Sequence, residues 1–208
     1  MTGIILLLSG CVVSTVSIFV LGLWIRKIPS LKNTEIATKI LHIIILITIS
    51  APVLNIVLNI TFRDYNYDKR LGIPSLPPLT ILDVTGSSMM LLGVVMYILS
   101  SSSILTRGKG LPLIALTKEL GDNLLYEYIR HPMILGFFLM VIGFGLFSSS
   151  SFFLLWSLLV FIPVVVFWLK YFEEYELEMR FGKSYVEYRQ RVPFLFPNFR
   201  KKPGLQKI

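Results

Sequence analysis

Four stretches of this chain contain no Asp, Glu, Lys or Arg: residues 1–25, 40–62, 84–106 and 132–169. A helix that crosses a bilayer needs about 20 apolar residues in a row, because no water reaches the hydrocarbon to solvate charge. The first three stretches each predict one spanning helix. The fourth is too long for one and tight for two, and the run "SSSS" at 148–151 interrupts it. We read it as a helical hairpin turning at those serines. Its first arm, 133–147, would be roughly 22 Å long at 1.5 Å per residue, shorter than a ~30 Å hydrocarbon core. A short arm thins the bilayer locally or sits with little tilt. The pattern predicts an all-α integral membrane protein with five transmembrane helices, the last two a hairpin. Cytosolic loops and a C-terminal helical tail complete it. Residues 1–106 form a three-helix scaffold. Residues 107–208 form a core made of a loop, the hairpin 132–169 and the tail 170–208.

Composition agrees with the pattern. Hydrophobic residues make up 54% of the 208 and charged ones 15%, with a mean hydropathy of +0.73; a soluble domain seldom carries so few charges. The first stretch lacks a basic leader and is too long for a cleaved signal, so it is read as a spanning helix. Lysine and arginine set orientation. Of the 20 present, only Arg63, Lys69 and Arg70 fall between the second and third helices. Five spans with the N-terminus outside put nearly all the rest on the cytosolic side, as the positive-inside rule requires. The net charge of +8 then belongs to topology and to anionic lipid head groups rather than to nucleic acid. One cysteine, Cys11, excludes an internal disulfide, and with only two histidines there is no basis for a metal site. His42, Asn55 and Asn59 read as contacts between helices.

The groups able to do chemistry lie in two segments, 107–131 and 170 onward. A hairpin returns the chain to the face it left, so these segments are expected to be neighbours at the membrane surface. "GKG" at 108–110 offers two glycines, which let backbone approach a ligand closely. Arg130-His131-Pro132 follows. Proline favours the first turn of a helix, so His131 falls near a helix N-terminus, where backbone donors and the dipole favour an anion. "FEEYELEMRFG" supplies Glu173, Glu174, Glu176 and Glu178. A solvated helix in which Glu176 pairs with Arg180 accounts for the acids alone. Together the three features suit a ligand with a cation, a carboxylate and a flat ring. S-adenosylmethionine has all of those groups; a zwitterionic lipid also fits.

These motifs, in this order around a hydrophobic hairpin, resemble the membrane methyltransferases typified by isoprenylcysteine carboxyl methyltransferase and phosphatidylethanolamine N-methyltransferase. The residues that carry the likeness are "GKGLP", "LYEYIRHPM", Glu173-Glu174 and "FGKSYVEYRQRVPFLFP"; the first three helices add no specific match. The resemblance implies S-adenosylmethionine as cofactor and a lipidic acceptor, either an isoprenylcysteine carboxylate or a lipid amine. It places Gly108, Gly110, Lys118, Glu119, Leu120, Gly121, Tyr126, His131, Pro132, Met133, Ile134, Glu173 and Glu174 at the cofactor. Arg130 and His131 stand where the chemistry occurs, and Leu169, Lys170 and Arg189 stand on the acceptor's side. The chain departs from the pattern at Leu124-Leu125, where Gly-Pro is usual. It departs again at Ile134, where Tyr is usual, and at Leu169, where prenylcysteine enzymes tend to have Arg. A sterol-reductase-like enzyme using NADPH, and a non-catalytic membrane scaffold, are the rival readings.

Overall fold

The computed structural model describes residues 2–63, 66–106 and 125–196. Every regular element among them is helical. Four helical runs are long and apolar enough to cross a membrane: Leu7–Lys27, Leu31–Thr61, Thr80–Ser103 and Ser151–Phe181. A fifth, Pro132–Phe147, is apolar but shorter.

Helix α1 (Thr2–Lys27) is apolar around its whole circumference, so its sequence does not reveal which side packs. The structure does. Ile4, Leu7, Cys11, Ser14, Ile18 and Ile25 are buried, at steps of three and four with Gly22 in series, the spacing of a helix–helix seam. Val12, Val16, Phe19 and Leu23 face outward. A three-residue link ending at Ser30 leads into α2 (Leu31–Ile45), whose Thr34, Ala37, Thr38 and Leu41 are buried on one side. Lys32 and Lys39 are therefore residues of this helix, not of the loop in which their charge suggested they lay. Long basic side chains carry their ammonium to water from a helix end, so charge marks the edge of the hydrocarbon and not the end of the helix.

A π-helical turn, Leu46–Ser50, joins α2 to α3 (Ala51–Arg63). The short α4 (Tyr67–Leu71) follows. The Asn66 side chain accepts from the Lys69 backbone N–H at 2.8 Å at its start. Gly72 ends it with φ +67°, a left-handed conformation that glycine adopts freely. Next come α5 (Thr80–Thr106) and α6 (Pro132–Phe147). The last long run comprises α7 (Ser151–Trp156), α8 (Ile162–Trp168) and α9 (Glu174–Phe181), separated by π-helical turns at Ser157–Phe161 and Leu169–Glu173. Helix α10 (Lys183–Arg191) closes the described part. The helix thus continues past Leu169, where a tail was expected to begin.

The chain forms two compact units, Met1–Met90 with Val141–Glu176, and Leu91–Met140 with Leu177–Ile208. In the first, Ser14 Oγ and Thr48 Oγ1 share a hydrogen bond of 2.6 Å, and a Cβ on Gly10 would collide with the Thr48 carbonyl. His42 meets the Trp168 ring edge-on at 5.7 Å. Gly86 and Gly143 let their helices touch, since a Cβ on Gly86 would lie 2.6 Å from the Gly143 carbonyl oxygen. In the second unit Gly93 and Gly136 repeat the arrangement at 2.5 Å. Close backbone approach through small residues is how helices gain packing energy where lipid removes the hydrophobic drive to associate.

Candidate functional site

In the second unit the geometry gathers around Arg130 and His131. Residues 125–129 make a tight turn, with the Tyr128 and Ile129 amides donating to the Leu125 carbonyl. Ile129 is buried, which fixes the exit of the turn. The Arg130 amide then donates to the Pro193 carbonyl at 2.9 Å. His131 leads directly into α6: its carbonyl accepts from the Leu135 amide at 3.0 Å, the first bond of the helix, and Pro132 is the first helical residue. This is the arrangement the proline predicted. The His131 ring is buried, 5% exposed, and meets Phe194 edge-on at 5.0 Å. The Arg130 guanidinium lies 5.4 Å from the same ring. Met133 and Ile134 occupy the first turn of α6 and are half-buried; the Ser101 hydroxyl reaches the Met133 sulfur at 3.5 Å.

Helix α10 and the chain after it therefore frame the Arg-His pair. Tyr188 donates its hydroxyl to the Tyr126 carbonyl at 2.8 Å, Tyr185 is fully buried, and Val192 and Leu195 are buried on either side of Pro193 and Phe194. Phe194 and Tyr188 were missing from the sequence-derived site. The signal existed in the spacing "FGKSYVEYRQRVPF" but carried no role until the contacts were seen. Arg189, expected on the acceptor's side, pairs with Glu178 at 2.9 Å.

In the first unit Leu169, Lys170 and Glu173 share one π-helical turn, closed by the Glu174 amide donating to the Leu169 carbonyl. Leu169 and Phe172 are buried and hold the turn in place. Lys170 is exposed; Glu173 and Glu174 are half-buried. Glu176 is 3% exposed, so its side of the helix is buried rather than solvated, while Glu178 pairs with Arg189. Wide turns of this kind occur often at functional sites. Gly108, Gly110, Lys118, Glu119, Leu120 and Gly121 lie outside the described residues.

Chemically, one place offers a buried imidazole at the start of a 16-residue helix, whose first amides have no acceptor within the helix and favour an anion. The other offers half-buried carboxylates that favour a cation. No curated protein and no solved structure matches the chain. The family model for phospholipid methyltransferase matches residues 82–184, from the start of α5 through both Arg130-His131-Pro132 and Glu173-Glu174. Over that segment the chain is similar to the phospholipid methyltransferase family of membrane methyltransferases.

Proposed function

We propose that this protein is an S-adenosylmethionine-dependent methyltransferase that modifies a lipidic acceptor, an isoprenylcysteine carboxylate or a lipid amine, at the membrane–cytosol boundary. The observation that carries the proposal is the family match, which takes in both groups of polar residues described above. The donor set suits the cofactor. Glu173, with Glu174 beside it, takes the ammonium. The first turn of α6 with His131 takes the carboxylate, as helix N-termini do. Gly108, Gly110, the stretch 118–121 and Tyr126 complete the cofactor's surroundings.

When bound, S-adenosylmethionine supplies a methyl group already activated on a sulfonium. The protein's part is then to align the acceptor and exclude water. A carboxylate acceptor needs no base. An amine must be neutral to attack, and His131, whose ring packs against Phe194, would take that proton. Arg130 stands beside it, and Leu169, Lys170 and Arg189 meet the acceptor. In the membrane, α6 forms a fifth span and pairs with the run from Ser151 as a hairpin, with the N-terminus outside and the C-terminus cytosolic. That orientation puts the basic majority of the chain inside.

The test is transfer of an isotopically labelled methyl group from S-adenosylmethionine into lipids extracted from membranes that contain the protein. His131→Ala and Glu173→Ala should each slow transfer at least tenfold, about 1.4 kcal/mol of transition-state stabilisation. Wild-type rates in both variants would remove the site assignment.

A further inference from the structure

Among the described residues three π-helical turns interrupt the long helices, and two of them have an evident cause. Leu46–Ser50 and Ser157–Phe161 each precede a proline by two positions, Pro52 and Pro163. Proline has no N–H to offer the carbonyl four residues back, and its ring crowds that carbonyl, so the ladder widens upstream. Leu169–Glu173 is followed by no proline before Pro193.

What touches this third turn instead is Arg26, from the last turn of α1. One guanidinium nitrogen donates to the Tyr171 carbonyl, inside the wide turn. The other donates to the Gly22 carbonyl at 2.9 Å. The guanidinium carbon lies 4.1 Å from the centre of the Tyr171 ring and 4.5 Å from that of Tyr175. The Tyr171 ring is stacked in turn on Phe19 and Phe167, at 5.8 and 5.1 Å. Gly22 makes the room: a Cβ there would lie 2.5 Å from Tyr171 Cε1. A planar cation with a fork of donors is suited to this combination of a carbonyl and two ring faces.

We propose that Arg26 is a positioning residue: it holds the wide turn open and thereby sets the direction in which Glu173 presents its carboxylate. This rests on the reading that Glu173 binds the cofactor's ammonium. One residue more or less in a turn rotates everything beyond it by about 100°, since an α-helix has 3.6 residues per turn. If the turn relaxed to an ordinary helical one, Glu173 would leave its bearing. Arg26 lies outside the family-matched segment, so the scaffold half of the chain would be tuning the half that does the chemistry.

Two measurements on the full-length, detergent-purified protein test this. The first is calorimetric titration with S-adenosylhomocysteine of wild type, Arg26→Ala, Glu173→Gln and the double variant. Arg26→Ala should weaken binding about tenfold, and should add nothing in the Glu173→Gln background, because two residues acting through one contact are not additive. The second needs no ligand: amide hydrogen exchange across 169–175 should be about tenfold faster in Arg26→Ala. Arg26→Lys, which keeps the charge but not the fork, should follow Arg26→Ala in both and serves if the alanine variant does not fold. Binding within twofold of wild type, equal losses in both backgrounds, or unchanged exchange would each overturn the proposal. Faster exchange with no binding even in wild type would instead remove the cofactor reading and leave the clamp on the turn.

Discussion

The run of helix from Ser151 to Phe181 is met by Asp68 at its start and by Arg26 at the wide turn around Tyr171, and the two places are built differently. At the first, Asp68 accepts from the Phe152 amide at 2.7 Å, the Ser151 amide at 2.9 Å and the Ser150 hydroxyl at 3.3 Å. It is 2% exposed. At the other, Arg26 donates to a carbonyl of the wide turn and lies against two rings, half-buried. Asp68 has the sign that complements the start of a helix dipole, an effect confined to the first turn. It is also enclosed, with helix-start donors filling its carboxylate, and the turn beside it is tied down further. The Leu76 amide donates to the Ser149 carbonyl and the Ser151 hydroxyl to the Pro74 carbonyl. Beside Arg26, by contrast, Lys170 is exposed and two glutamates are half-open. An enclosed charge with its hydrogen bonds made holds a fold together. A charge that shapes a turn also sets how the half-buried acids beside it are presented.

The largest expected effect is at the closed end. Asp68→Ala strands two buried amides and should lower stability by about 3 kcal/mol, since hydrogen bonds to a buried charge are worth about 1.5–3 kcal/mol each. Thermal unfolding in detergent reads it. The protein that remains folded should bind S-adenosylhomocysteine as wild type does; a matching loss of affinity would break the contrast between the two places. Gly22→Ala comes next. Its Cβ must displace Tyr171, which should cost about 2 kcal/mol by overpacking and, unlike Asp68→Ala, should also weaken cofactor binding. Ser150→Ala removes the cap that accepts from the Phe153 amide at 3.3 Å and should cost about 1 kcal/mol with binding untouched. Lys39→Ala breaks an exposed i,i+4 pair with Glu35 at 2.7 Å; it should change stability by less than about 0.5 kcal/mol and sets the floor against which the others are judged.

The spans could be read from the sequence because charge inside hydrocarbon is so unfavourable that its absence over some twenty residues is informative. The ends of the helices could not, because Lys32, Lys39 and Lys170 sit on helices whose side chains reach water. The packing face of α1 was equally hidden, since lipid and protein neighbours select the same residue types. At the site, Arg130-His131-Pro132 was legible because proline announces the start of a helix. Phe194 against it was not, nor was Tyr188, which bonds Tyr126 from 62 residues away. Arg26 was the least visible. By sequence it is one more basic residue at the end of a span, counted for orientation; its role depends on a contact 145 residues away.

The central claim, that Glu173 belongs to a binding site for S-adenosylmethionine, is tested most directly by titrating S-adenosylhomocysteine into wild type and Glu173→Gln, with NADPH in parallel. The account predicts binding to wild type that falls at least tenfold in the variant, and none of NADPH. Folded wild-type protein that binds NADPH and not S-adenosylhomocysteine would contradict it.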